Sequence, residues 1–189
     1  MTYMQYEVLF VSQTGNTEKL AKAIYEAIPD GDKEIQRLTK DTPLDLAETY
    51  FIGFWTNRGT CSFEVLDYIS ELHGKNIALF GTCGMGCGQG YFDRIAKQVS
   101  AFIPEDNLYL GTFLCQGKMP ICVRNKYQEL LEHGNNDGLA RRMLHNFDEA
   151  LLHPNEEDYT HAGKFVEEAM LKIGSYSIND NSDSTIYQI

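Results

Sequence analysis

The stretch "SQTGNT", residues 12 to 17, decides how the rest of the chain is read. It follows an apolar run, "YEVLFV", and opens onto "EKLAKAIYEAI", in which Leu20, Ile24 and Ile28 recur every four residues. The first run predicts a buried strand over 4 to 11, and the second a helix that "PDGD" at 29 to 32 stops. Three hydroxyls and a glycine, with no cation, thus stand where a strand turns into a helix. Such a turn presents unpaired backbone N–H groups and the positive end of a helix dipole, which together bind an anion. Ser12, Thr14 and Thr17 can donate hydroxyl hydrogen bonds, Gly15 permits close backbone approach, and Asn16 and Thr17 add N–H groups at the helix start. Phosphate is the obvious guest. The same residue types also suit a plain capped helix start with no ligand.

Working outward, "KEIQRL" (33 to 38) is a short extended segment, "TYFIGFW" (49 to 55) a strong apolar run, and 62 to 72 a helix. "KNIALFGT" (75 to 82) is another strand, the Gly-rich "GTCGMGCGQG" (81 to 90) leads into the helix "YFDRIAKQVSAF", and "NLYLGTFLC" (107 to 115) is the last strand. Strands that are apolar along most of their length and alternate with helices predict a doubly wound, open parallel α/β sheet. Its ligand would sit beyond the carboxyl ends of the strands, at the switch point, among loops 12 to 17, 55 to 60 and 81 to 90. Neither common nucleotide motif is present: no Lys completes a Walker A loop, and the glycines at 84, 86, 88 and 90 never fall on G-x-G-x-x-G. Past Cys115, helices are expected at 122 to 133, 138 to 147 and 156 to 173, the last with Asn155 as N-cap and Ala162, Phe165, Val166, Ala169, Met170 and Ile173 as its apolar face. One domain is expected over 1–173, with 117–152 an extra helical segment and 174–189 a flexible tail.

"SQTGNT" after the first strand resembles the (S/T)-x-T-G-x-T phosphate loop of flavodoxins, the type case for FMN at this switch point. "WTNRGT" and "GTCGMGCGQG" follow in the order that family uses, so the resemblance covers residues 4 to 116 and implies a five-stranded sheet of order 2-1-3-4-5. "GTFLCQGKM" and "HPNEED" further resemble a flavodoxin-like subgroup associated with bacterial bilirubin reductase. The resemblance implies FMN as cofactor, its phosphate held by Ser12, Thr14, Gly15, Asn16 and Thr17, with Gln13 among the cofactor-binding residues of the same loop. It implies a ring flanked by Trp55, Thr56, Asn57, Arg58, Gly59 and Thr60 on one loop, and by Thr82, Cys83, Gly84, Met85, Gly86 and the later Phe92 on another. Trp55 is equally readable as a core aromatic ending its strand. Two features depart from the family pattern. The third loop has no aromatic until Tyr91 and Phe92, and Arg58 puts a cation where the ring is expected. Gly59 is the glycine whose peptide would reorient toward the reduced ring.

The chain has 189 residues, a formal net charge of −11 and 43% hydrophobic residues. That balance speaks against nucleic-acid partners, which demand clustered Lys and Arg, and no apolar run reaches membrane-spanning length. The expected setting is the cytoplasm, with docking to basic faces of redox partner proteins, a reductase and an acceptor oxidoreductase. Cys83 and Cys87 form C-x3-C without a second close pair, which fits packed thiols better than a metal or cluster site. The five His are scattered and read as surface residues. Two functions follow from the resemblance: an FMN electron carrier, possible in bilirubin or tetrapyrrole reduction, or an FMN-dependent NAD(P)H:quinone-type reductase. The third is a flavin-free interaction module.

Overall fold

A computed structural model of the protein describes residues 4–86, 88–134 and 137–183. Strands β1 (Met4–Phe10), β2 (Lys33–Arg37), β3 (Ala47–Trp55), β4 (Asn76–Cys83) and β5 (Leu108–Gln116) form one sheet of order β2-β1-β3-β4-β5. Every pairing is parallel. The helices are α1 (Asn16–Ala27), α2 (Phe63–Ser70), α3 (Gln89–Ser100), α4 (Ile121–His133), α5 (Asp137–Ala150) and α6 (Glu156–Asp183). Fold class and strand order are those expected from the sequence.

Side chains on alternate strand positions leave opposite faces of a sheet, and here both faces are covered. Val8, Phe10, Phe51, Ala78 and Phe80 pack on α1 and α6, whereas Leu9, Tyr50, Ile52, Phe54 and Leu79 pack on α2 and α3. The central strands are therefore apolar along most of their length. One exception is Glu7, which has no exposed surface although it lies on β1 between Glu34 and Tyr50.

The expected apolar face of α6 is the observed one, but the helix continues past Ile173 to Asp183. Residues 184–189 lie outside the described part. Asn155 caps α6 reciprocally: its Oδ1 accepts from the N–H groups of Glu157 (3.0 Å) and Asp158 (3.2 Å), and Asp158 Oδ2 accepts from the N–H of Asn155 (2.8 Å). This is a capping box. Asp158 Oδ2 also lies 2.6 Å from His153 Nδ1, so His153 is a partly buried, paired residue and not the surface one expected. No described helix is long and apolar enough to cross a membrane.

Candidate functional site

The turn from β1 into α1 is shaped by its own short side chains. Gly15 takes the left-handed conformation at φ 84°, which costs a glycine little. Its N–H donates to Ser12 Oγ at 3.1 Å, and Asn16 Nδ2 donates to Thr14 Oγ1 at 3.0 Å. Ser12, Asn16 and Thr17 are buried. Thr17 Oγ1 meets Thr82 Oγ1 at 2.9 Å, tying this loop to the end of β4. The first-turn N–H groups of α1 have no acceptor within the helix. From behind, Arg37 donates to the Ser12 carbonyl at 2.9 Å while lying 3.5 Å from the Glu18 carboxylate. Sequence reasoning missed Arg37, because only the β1–β2 pairing brings it here.

The second loop is a tight turn. Asn57 and Thr60 bridge through paired backbone bonds of 2.7 and 3.1 Å. Between them Arg58 (φ 51°) and Gly59 (φ 89°) both take positive φ, the signature of a type I′ turn. Gly59 adopts this freely, whereas Arg58 carries a strain that most side chains avoid.

The third loop, Gly84–Met85–Gly86, is met from several sides. Cys83 Sγ contacts the Met85 carbonyl at 3.3 Å, and the Gly117 N–H donates to the Cys83 carbonyl at 2.9 Å. Lys118 links two elements: its carbonyl accepts from Asn16 Nδ2 at 2.8 Å and its N–H donates to the His153 carbonyl at 3.2 Å.

These loops enclose a cleft of about 480 Å³ at the carboxyl ends of β1, β3 and β4. From the expected set, Gln13, Thr14, Trp55, Thr56, Arg58, Thr82, Cys83, Gly84 and Met85 line it. Ser12, Gly15, Asn16 and Thr17 stand behind Thr14 in the α1 turn, and Asn57, Gly59 and Thr60 complete the turn that carries Arg58. Gly86 lines a neighbouring hollow instead. Phe92 does not reach the cleft: it packs against the core on the α3 side, and the adjacent Tyr91 takes the lining position. Helix periodicity explains the swap, since successive residues point about 100° apart. Trp55 is half-buried at the strand end and lines the cleft.

The opposite wall was not foreseen. Lys118, Met119 and Pro120, with Val123 and Tyr127 of α4, close the side facing the three loops. Tyr127 adds an aromatic to the wall that faces the loops, and burial raises the pKa of its phenol. Nothing local marks α4 for this task, because the only sequence signal over 121–133 is a weak helical period.

Donor chemistry at the cleft fits an anionic ligand such as one bearing a phosphate. Among the described lining residues two are cations, Arg58 and Lys118, and none is a carboxylate, in a chain of net charge −11. Thr56 Oγ1 is buried in this lining without a partner among the described residues, an arrangement that costs free energy unless a ligand atom completes it. The thiols are a different matter. Burial pushes Cys61 up to about 12 and Cys115 higher still, so neither is a thiolate near neutral pH. Cys87 lies outside the described residues.

Comparison with known proteins places the chain in one family. A flavodoxin domain family matches residues 7–167. The chain is 35% identical to a flavodoxin-like domain-containing protein BilS of Clostridioides difficile (strain CD3), over 89% of this chain and 98% of that protein. It is 34% identical to a BilS protein of Clostridium symbiosum (strain WAL-14163), over 82% of this chain and 90% of the relative. Among solved structures, the Streptococcus pneumonia TIGR4 flavodoxin superposes with a TM-score of 0.55 at 18% identity, covering 89% of this chain and 99% of that one.

Proposed function

The chain belongs to the flavodoxin family, and from that premise we propose that it binds FMN in the 480 Å³ cleft and carries electrons between a reductase and an acceptor oxidoreductase. One observation carries this reading: in an acidic chain, the cleft at the strand ends is lined by hydroxyls and two cations, with no carboxylate among the described lining residues. FMN, when bound, supplies the one- and two-electron chemistry. The residues of this chain hold and tune it. The α1 turn, with Ser12, Thr14 and Thr17, would take the phosphate. Trp55, Met85 and Tyr127 would bound the ring, and Thr56 would find a polar partner at its edge. The likeness of "GTFLCQGKM" and "HPNEED" to the subgroup associated with bilirubin reductase makes a tetrapyrrole-reducing enzyme our preferred acceptor.

The wall formed by α4 favours a second reading. A cleft enclosed by Val123 and Tyr127 can shelter a small acceptor beside the ring, as an FMN-dependent NAD(P)H:quinone-type reductase needs. One experiment separates the readings. FMN is added to the purified protein while its fluorescence is followed, and the complex is then treated with NADPH and finally with dithionite. Quenching at one FMN per chain, with reduction by dithionite but not by NADPH alone, is the carrier's result. Rapid bleaching by NADPH makes the protein an enzyme, and unquenched fluorescence removes the flavin reading.

A further inference from the structure

We propose that Asn146 of α5 is a positioning residue of the cofactor cleft, holding the third loop in its ring-facing conformation. The proposal rests on the FMN reading above. Gly84–Met85–Gly86 has two glycines and a thioether, so its sequence supplies no side chain able to fix its own backbone. The fixing group comes from sixty residues along the chain. Asn146 Oδ1 accepts from the Gly86 N–H at 2.8 Å, and Asn146 Nδ2 donates to the Gly84 carbonyl at 2.9 Å. Only this orientation of the amide gives both backbone groups a complementary partner.

One carboxamide therefore spans the loop as a neighbouring strand would. The same Nδ2 lies 3.4 Å from Met85 Sδ, and Met85 lines the cleft. Gln116 reinforces the arrangement, with Nε2 3.3 Å from the Gly84 carbonyl and 3.2 Å from Asn146 Oδ1. Asn146 is held firmly enough to act on the loop, because the next residue, Phe147, and Ala150 one turn on are fully buried. The helix pair of segment 117–152 thus does two things to one cleft: α4 supplies its wall, and α5 sets the loop that faces that wall.

The test compares wild type, Asn146→Ala and Asn146→Asp by three measurements: amide hydrogen exchange at Gly86 without FMN, FMN affinity by fluorescence quenching, and the visible spectrum of the bound flavin. In the alanine variant the Gly86 amide should exchange at least about tenfold faster, the FMN Kd should rise about tenfold, and the flavin bands should move. The aspartate variant keeps an acceptor for Gly86 but loses the 2.9 Å donor to the Gly84 carbonyl, which is left with the longer Gln116 contact alone. Its amide should stay protected while FMN binds more weakly, and it carries the test if the alanine variant does not fold. A quenched wild type with unchanged Gly86 exchange, or with unchanged affinity and spectrum, in the alanine variant sinks this proposal alone. A wild type that leaves FMN unquenched sinks the function reading and this proposal with it.

Discussion

Arg58 joins two opposed demands at one residue: it lines the cleft with a cation and stands at φ 51° to do so. A positive charge beside a ring that gains electrons stabilises the reduced anion. Replacing Arg58 with Gln should lower the potential of the second one-electron step, which forms the fully reduced flavin, by about 40 mV, on the order of 1 kcal/mol for a partly solvated charge. Spectroelectrochemistry reads this directly, and an unmoved potential would show the side chain acting only on solvent. Gly59 is tested differently. A Cβ there meets only the Gln98 side chain, at 3.8 Å, so space is not the obstacle. The obstacle is φ 89°, which costs alanine roughly 1–2 kcal/mol. Gly59→Ala should therefore reduce the yield of one-electron-reduced flavin in a stepwise dithionite titration, and an unchanged yield would remove the turn from the redox step. Glu7 makes a prediction about pH. Burial is the main reason its carboxyl is pushed up to about 7, against the relief given by Gln36 Nε2, which donates at 2.8 Å. A raised acid pKa means the folded state holds a proton that the unfolded chain has released, so the contribution of Glu7 to stability is most favourable below about pH 4.5 and is lost as pH rises through about 7. Glu7→Gln should abolish that slope and gain up to about 3 kcal/mol at pH 8 in urea unfolding; parallel pH profiles of variant and wild type would contradict the assignment.

At the scale of elements, α1 and α4 are opposites. Leu20, Ala21 and Ile24 root α1 in the core, whereas α4 has no buried residue and packs on α5. Few buried contacts mean early local opening. The amides of α4 should exchange well before those of α1 in the free protein, and FMN should slow them, since Val123 and Tyr127 face the cleft. Exchange in α4 indifferent to FMN would place the wall outside the binding process. The start of α6 gives a simpler case: Asn155→Ala removes the acceptor of two N–H groups and should cost about 1 kcal/mol in thermal or urea unfolding. Asn155 was legible because a cap is a local matter, settled within three residues. The same holds for the strand ends, for the α1 turn and for the apolar face of α6. What went unread at this scale was contact between elements: α4 presents no apolar stripe strong enough to say what it leans on, and the exchange of Phe92 for Tyr91 in the lining turned on one residue of helix phase.

For the whole molecule, a net charge of −11 contrasts with the two cations of the cleft lining, and under the proposed function that field would draw a basic partner while leaving a seat for an anionic ligand. Electron transfer to a basic reductase should slow as salt rises, because the Debye length shrinks to about 8 Å at 0.15 M. Rates indifferent to ionic strength would end the steering idea. Strand and helix periods determined a doubly wound parallel sheet, and the resemblance carried by the "SQTGNT" turn and the two loops after it implied the strand order and the family. Those features are repetitive or local, so each is written in consecutive residues. Only the tertiary structure decided which groups share the cleft. Arg37 reaches the α1 turn through strand pairing, Lys118 joins Asn16 to His153, and Asn146 closes a loop that lies sixty residues earlier. Such contacts depend on how elements pack across the sheet end, and side-chain hydrogen bonds between distant segments leave no period in a sequence from which they can be read.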